Sequence, residues 1–102
     1  MKNLWTMAAL VLAAAGAQAQ TPDALYIKSL AATCANCHGT DGRAVNGSAV
    51  PTIAGMPRDY LVTQLKAFKA GTRPATVMHQ LSKGYSDAQI EQISTYFAAQ
   101  KK

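Results

Sequence analysis

The chain has 102 residues, 49% hydrophobic and 15% charged, which is room for one domain with one core. Ten Lys and Arg against five Asp and Glu leave a formal charge of +5. The basic residues are spread along the chain with no dense tract, which argues against nucleic acid and fits a solvated surface or a basic rim facing an acidic partner. The two cysteines, Cys34 and Cys37, lie so close together that a disulfide between them would constrain little of the unfolded chain.

The first residues read as a targeting segment. Lys2 is a basic start, Leu4 to Ala15 an apolar stretch, and Ala17-Gln18-Ala19 a small-x-small cleavage site. The apolar stretch is shorter than the about 20 residues that cross a bilayer. The expectation is a secretory signal peptide over 1–19, cleaved to leave a domain of 20–102 with no stable membrane insertion. A domain of that length is near the about 70–80 residues at which one apolar core is marginal by itself. With no useful disulfide, a bound cofactor is the natural support.

Thr21-Pro22-Asp23 opens the first predicted helix, with Thr21 as cap, Pro22 at the first helical position and Asp23 at the positive dipole end. It should run to about Thr33. Residues 39–57 carry Gly39, Gly42, Gly47, Gly55, Pro51 and Pro57, a density of breakers that forbids regular structure over most of the stretch. A loop of this length in a small domain suits the wrapping of a large flat ligand. From Arg58 to Ala70, Leu61, Leu65 and Phe68 share a helical face, and Gly71 is a good stop. A short helical turn is predicted between Thr76 and Lys83. The last helix starts at Ser86, with Gln89 in the capping-box position, and carries Ile90, Ile93 and Phe97 on one face. No segment alternates apolar and polar long enough to suggest a strand, so the class is all-α.

The run Cys34-Ala35-Asn36-Cys37-His38 carries the chemistry. C-x-x-C-H is the signature of c-type haem attachment: two thiols three residues apart can form thioethers to two vinyl groups on one porphyrin edge, and the next histidine lies under the iron. A thioredoxin-like redox pair would need a βαβ setting that is not readable here. A zinc site would need four protein ligands in a finger-like arrangement. The expected cofactor is one covalent haem c on Cys34 and Cys37, with His38 as an axial ligand. For the second axial position the residues leave alternatives: Met78, between the third and last predicted helices; His79 beside it; or an open position. Met56 lies closer to His38, between Gly55 and Pro57. Ordinary core packing is the competing role for Met78.

These residues, together with Pro51-Thr52-Ile53-Ala54-Gly55, resemble the class I c-type cytochromes of bacteria over essentially all of residues 21–100. The resemblance implies a small class I cytochrome c fold, about four helices around one haem, with the first and last helices crossing near the haem edge. It implies Met78 as the distal ligand, and a bond from the Pro51 carbonyl to the second ring nitrogen of His38. The stretch Gly55-Met56-Pro57-Arg58-Asp59-Tyr60-Leu61 resembles bacterial carriers with a G-x-P-x-x-Y-L helix start, and Ala75-Thr76-Val77-Met78 and Lys83-Gly84-Tyr85-Ser86-Asp87 are similar to the haem subunit of flavocytochrome c sulfide dehydrogenase. That likeness implies a periplasmic redox partner, a flavoprotein, from which the haem accepts electrons; the chain would then carry electrons and do no bond chemistry itself. A freely diffusing shuttle between respiratory complexes and a gas-binding haem with a vacant position are the other readings. Lys28, Arg43, Lys66, Lys69 and Lys83 are candidates for a docking rim.

Overall fold

Residues 21–102 are described by the computed structural model; the expected signal peptide at 1–19 lies outside them. Helix α1 spans Pro22–Ala32, α2 Ala35–His38, α3 Arg58–Ala70, α4 Met78–Lys83 and α5 Asp87–Ala98, with a 3-10 turn at Thr40–Gly42. Among the described residues there is no strand, so the molecule is all-α.

The start signals act where the sequence places them. Thr21 Oγ1 accepts from Ala24 N at 3.2 Å, with Pro22 in the first turn of α1. At α5 the capping box is complete: Gln89 N donates to Ser86 Oγ at 3.1 Å, and Ser86 N donates to Gln89 Oε1 at 2.9 Å. Gly71 closes α3 in the left-handed region, φ +77°, and its N–H donates to the carbonyls of Ala67 and Phe68. The predicted turn from Thr76 begins only at Met78, with no side-chain cap. The largest departure from expectation is α2, where the attachment pentapeptide itself forms a helical turn just ahead of the breaker-rich stretch.

The core sits where α1, α3 and α5 meet. Ala31, Leu61, Ile93 and Phe97 form its buried centre, and Leu30, Ile53, Met56, Leu65 and Tyr85 pack around it. Ala31 is small enough to let α1 lie closely on α5. Phe97 and Ile93 come from the predicted apolar face of α5, and burial of each is worth about 1.5–3 kcal/mol. Helix α3 is the hub, touching both α4 and α5. Its contact with α5 carries ion pairs: Arg58 and Lys66 both meet Glu91, the latter at 3.2 Å, and Lys69 meets Asp87 at 3.2 Å. The breaker-rich segment is tied to this core by backbone: Gly42 O accepts from Ile53 N at 2.8 Å and from Ala54 N at 3.2 Å, and Gly55 N donates to Phe97 O at 2.8 Å.

Candidate functional site

Cys34, Cys37 and His38 are set by one turn of helix. Cys34 is the residue that precedes α2, and its carbonyl accepts from Cys37 N at 3.3 Å and from His38 N at 2.9 Å. The two cysteines are therefore neighbours on the same helical surface. Both thiols are free; Cys37 is exposed and Cys34 half-buried. Burial pushes the Cys34 thiol above its ordinary value, the Thr33 hydroxyl works the other way, and the charge of Cys37 adds a further rise.

The chain must turn sharply straight after His38. Gly39 does so at φ +83°, and a Cβ there would lie 1.9 Å from the Arg43 carbonyl oxygen. Gly42, at φ +80°, lets Ile53 and Phe97 come within 2.8 Å of where its Cβ would be. Asp41 between them is the one non-glycine residue with positive φ among those described, at +53°. Its carboxylate accepts from Tyr96 Oη at 2.5 Å and pairs with Arg43 at 3.4 Å, which fastens the turn to α5. Tyr96 is pushed up to about 12, by burial first and by the Asp41 hydrogen bond and charge next, with Arg43 opposing.

This folding back brings Pro51 to the histidine. The His38 Nδ1 to Pro51 O distance is 2.7 Å. A carbonyl oxygen only accepts, so Nδ1 carries the proton and Nε2 keeps a lone pair for a metal. The Pro51 carbonyl is itself held in place: Ala44 N donates to the neighbouring Thr52 Oγ1 at 3.0 Å, and the two bonds to Gly42 O hold the residues that follow. The ligand-ready tautomer of His38 is thus built into the backbone of residues 42–54.

The three residues considered for the second axial position separate clearly. Met56 packs against the apolar core. His79 turns its Nδ1 into the protein, where it is buried and unpartnered, as is the hydroxyl of Ser82 one turn on. Met78 is half-buried at the first position of α4, outside the core cluster, between the half-exposed Val77 and Leu81. An imidazole nitrogen and a thioether would make two ligands, a set that suits a metal whose remaining positions are filled by a macrocycle. Two adjacent free thiols beside that imidazole would give the macrocycle its covalent attachment, so the residues present fit a haem.

The candidate docking residues fall into two groups. Lys66 and Lys69 are engaged with carboxylates of α5, and Arg43 pairs with Asp41 and donates to Lys101 O at 3.1 Å. Lys28 and Lys83 make no ion pair among the described residues. A groove of about 600 Å³ between α1 and α5, lined by Ile27, Lys28, Glu91 and Tyr96 among others, contains neither cysteine, nor His38, nor Met78. Sequence reasoning missed Thr52 and Asp41 as supports of the site; the glycines at 39 and 42 were the available signal that a tight, tethered turn follows the motif.

The Cytochrome c family model matches residues 24–101. The chain is 44% identical to the cytochrome subunit of sulfide dehydrogenase from Chlorobaculum tepidum, over 67% of this chain and 60% of that protein. It is 35% identical to a thiosulfate dehydrogenase electron acceptor from Thiomonas intermedia, over 94% of this chain but 42% of the relative. It is also 35% identical to cytochrome c-554(548) from Halomonas halodenitrificans, over 68% of this chain and 86% of the relative. The first two relatives are thus matched over only about half of their own length.

Proposed function

The chain is a haem-c electron-transfer domain that belongs to the cytochrome c family, and from that premise we propose that Cys34 and Cys37 hold the haem, that His38 and Met78 are its axial ligands, and that a sulfide-oxidising flavoprotein is its electron donor. The observation that carries the assignment of His38 is the 2.7 Å bond between its Nδ1 and Pro51 O, which leaves Nε2 as the one free ring lone pair.

Bound haem supplies an iron that gains and loses one electron without bond breaking. The chain's own residues do the rest. Cys34 and Cys37 fix the position of one porphyrin edge by covalent attachment. His38 is held in one tautomer and one orientation by Pro51, which raises its basicity as a ligand. Met78 would supply the iron with a soft thioether, which favours the reduced state and raises the potential. With those two residues holding the iron, no position would remain for a substrate, and bond chemistry would belong to a partner. The exposed side of Cys37 offers the edge through which electrons leave.

The sulfide dehydrogenase reading is supported by the 44% likeness to a cytochrome subunit of that name. Export to the periplasm, with cleavage after Ala19, belongs to the same reading and is supported by the pattern of residues 1–19. A second reading, a freely diffusing carrier, is supported by the Halomonas cytochrome, which this chain covers over 86% of its length. Purification of the native protein separates the two. A stable complex containing flavin, whose haem reduces on addition of sulfide, is expected from the first; a flavin-free cytochrome that stays oxidised with sulfide contradicts it and favours the second.

A further inference from the structure

Helix α4 carries Met78, yet little in its own sequence holds it. It spans only Met78–Lys83, and Val77 before it caps nothing. A helix this short is not stable by itself and takes its position from its surroundings. On one side it lies on α3, with Ser82 buried. At its end the backbone passes through Gly84 to Tyr85, whose N–H reaches back to Ser82 O at 3.3 Å.

The Tyr85 phenol makes a contact that spans most of the domain. Its oxygen lies 2.5 Å from Thr33 Oγ1, on the residue just before Cys34. The proton of that bond can be placed. Thr33 has one hydroxyl proton, and Thr33 Oγ1 donates it to Leu30 O at 2.7 Å. Tyr85 is therefore the donor and Thr33 the acceptor. One hydrogen bond thus joins the segment that carries the thioether distal ligand to the segment that carries the first attachment cysteine.

We propose that Tyr85 is a positioning residue for the distal ligand: its hydrogen bond to Thr33 ties α4 to the attachment turn and holds Met78 on the iron against displacement. The proposal rests on the assignment of Met78 as that ligand. Opening the distal side requires α4 to move relative to α1, and that movement breaks the Tyr85–Thr33 bond. The bond adds its free energy to the closed state alone, so its loss raises the apparent affinity of any competing ligand.

A neighbouring bond provides the control. Gln89 Nε2 donates to Tyr26 Oη at 2.9 Å, which links α1 to α5 without touching α4. The test is a titration of the ferric holoprotein with imidazole, followed by loss of the weak near-infrared methionine–iron absorption. Tyr85→Phe and Thr33→Val should each raise imidazole affinity about fivefold, the factor that corresponds to the about 1 kcal/mol of one net hydrogen bond. The double variant should do no more than either alone. Thr33→Ser keeps the acceptor oxygen and should match the wild type, as should Tyr26→Phe. If Tyr85→Phe does not take up haem, Thr33→Val removes the same bond from the other side and carries the test. Unchanged imidazole affinity in the variants, or an equal rise in Tyr26→Phe, overturns the proposal while leaving Met78 as ligand. Persistence of the near-infrared absorption in Met78→Ala overturns the ligand assignment itself, and the positioning role with it.

Discussion

At the scale of single residues, the site depends on side chains that hold other groups in place. Thr52 makes no hydrogen bond to His38, the proposed ligand, yet its hydroxyl, accepting from Ala44 N, fixes the peptide whose carbonyl faces His38. Thr52→Val should leave the haem attached and shift the reduction potential upward, because a looser Pro51 carbonyl makes the imidazole a poorer donor to ferric iron. Redox titration of the two proteins checks this; an unchanged or lower potential contradicts it. Met78→Ala should lower the potential and abolish the methionine–iron absorption. Tyr96 gives a pH dependence. Its hydroxyl is raised from the ordinary value of 10.0 to about 12, so the folded state favours the protonated phenol. That stabilisation is fully present below pH 10 and is lost as pH rises toward about 12. Denaturant midpoints of the wild type should fall across that window, and those of Tyr96→Phe should fall less.

At the scale of elements, the contact between α3 and α5 combines an apolar seam with a line of ion pairs. The seam carries most of the energy. Phe97→Ala should cost about 3–5 kcal/mol in chemical denaturation of the holoprotein, as expected for a large buried side chain cut to alanine. The ion pairs around Glu91 are partly exposed, with side chains 44% and 36% accessible at Arg58 and Glu91. Glu91→Gln should therefore cost less than about 1 kcal/mol, and the loss should shrink as salt is added. These pairs also show where sequence reading stops. Helices α1 and α5 were legible because Thr21-Pro22 and Ser86 with Gln89 are local signals, spelled out within one turn. Lys66 and Lys69 read as docking residues because their carboxylate partners, Glu91 and Asp87, lie on another helix that only the fold brings near. Helix α2 was hidden for a different reason: a four-residue turn has no period to detect, and the glycines that follow it signal irregular backbone.

At the scale of the molecule, the apolar core is small for the number of residues it must order. Among the described residues six apolar ones are buried, while Val77, Leu81, Tyr60 and Val45 stay about half-exposed or more. The attachment motif was fully legible, because C-x-x-C-H is contiguous and its chemistry depends on spacing alone. The support around it was legible only in part: the Pro51 carbonyl on His38 is what the family resemblance implies, whereas Thr52, Asp41 and Tyr85 make their contacts through folding that no local pattern announces. Those contacts join the breaker-rich segment, α4 and α5 around one turn of helix. Covalent haem is then part of what holds the domain together, and a Cys34→Ser, Cys37→Ser chain should lose cooperative unfolding as followed by circular dichroism.

The most direct measurement is the intact mass of the purified native protein under denaturing, acidic conditions, which strip a merely coordinated haem. A mass equal to the mature chain plus one haem, reduced to the bare chain in the double cysteine variant, is the expected result. A wild-type protein that runs at the mass of its polypeptide alone contradicts thioether attachment at Cys34 and Cys37, and with it the site described above.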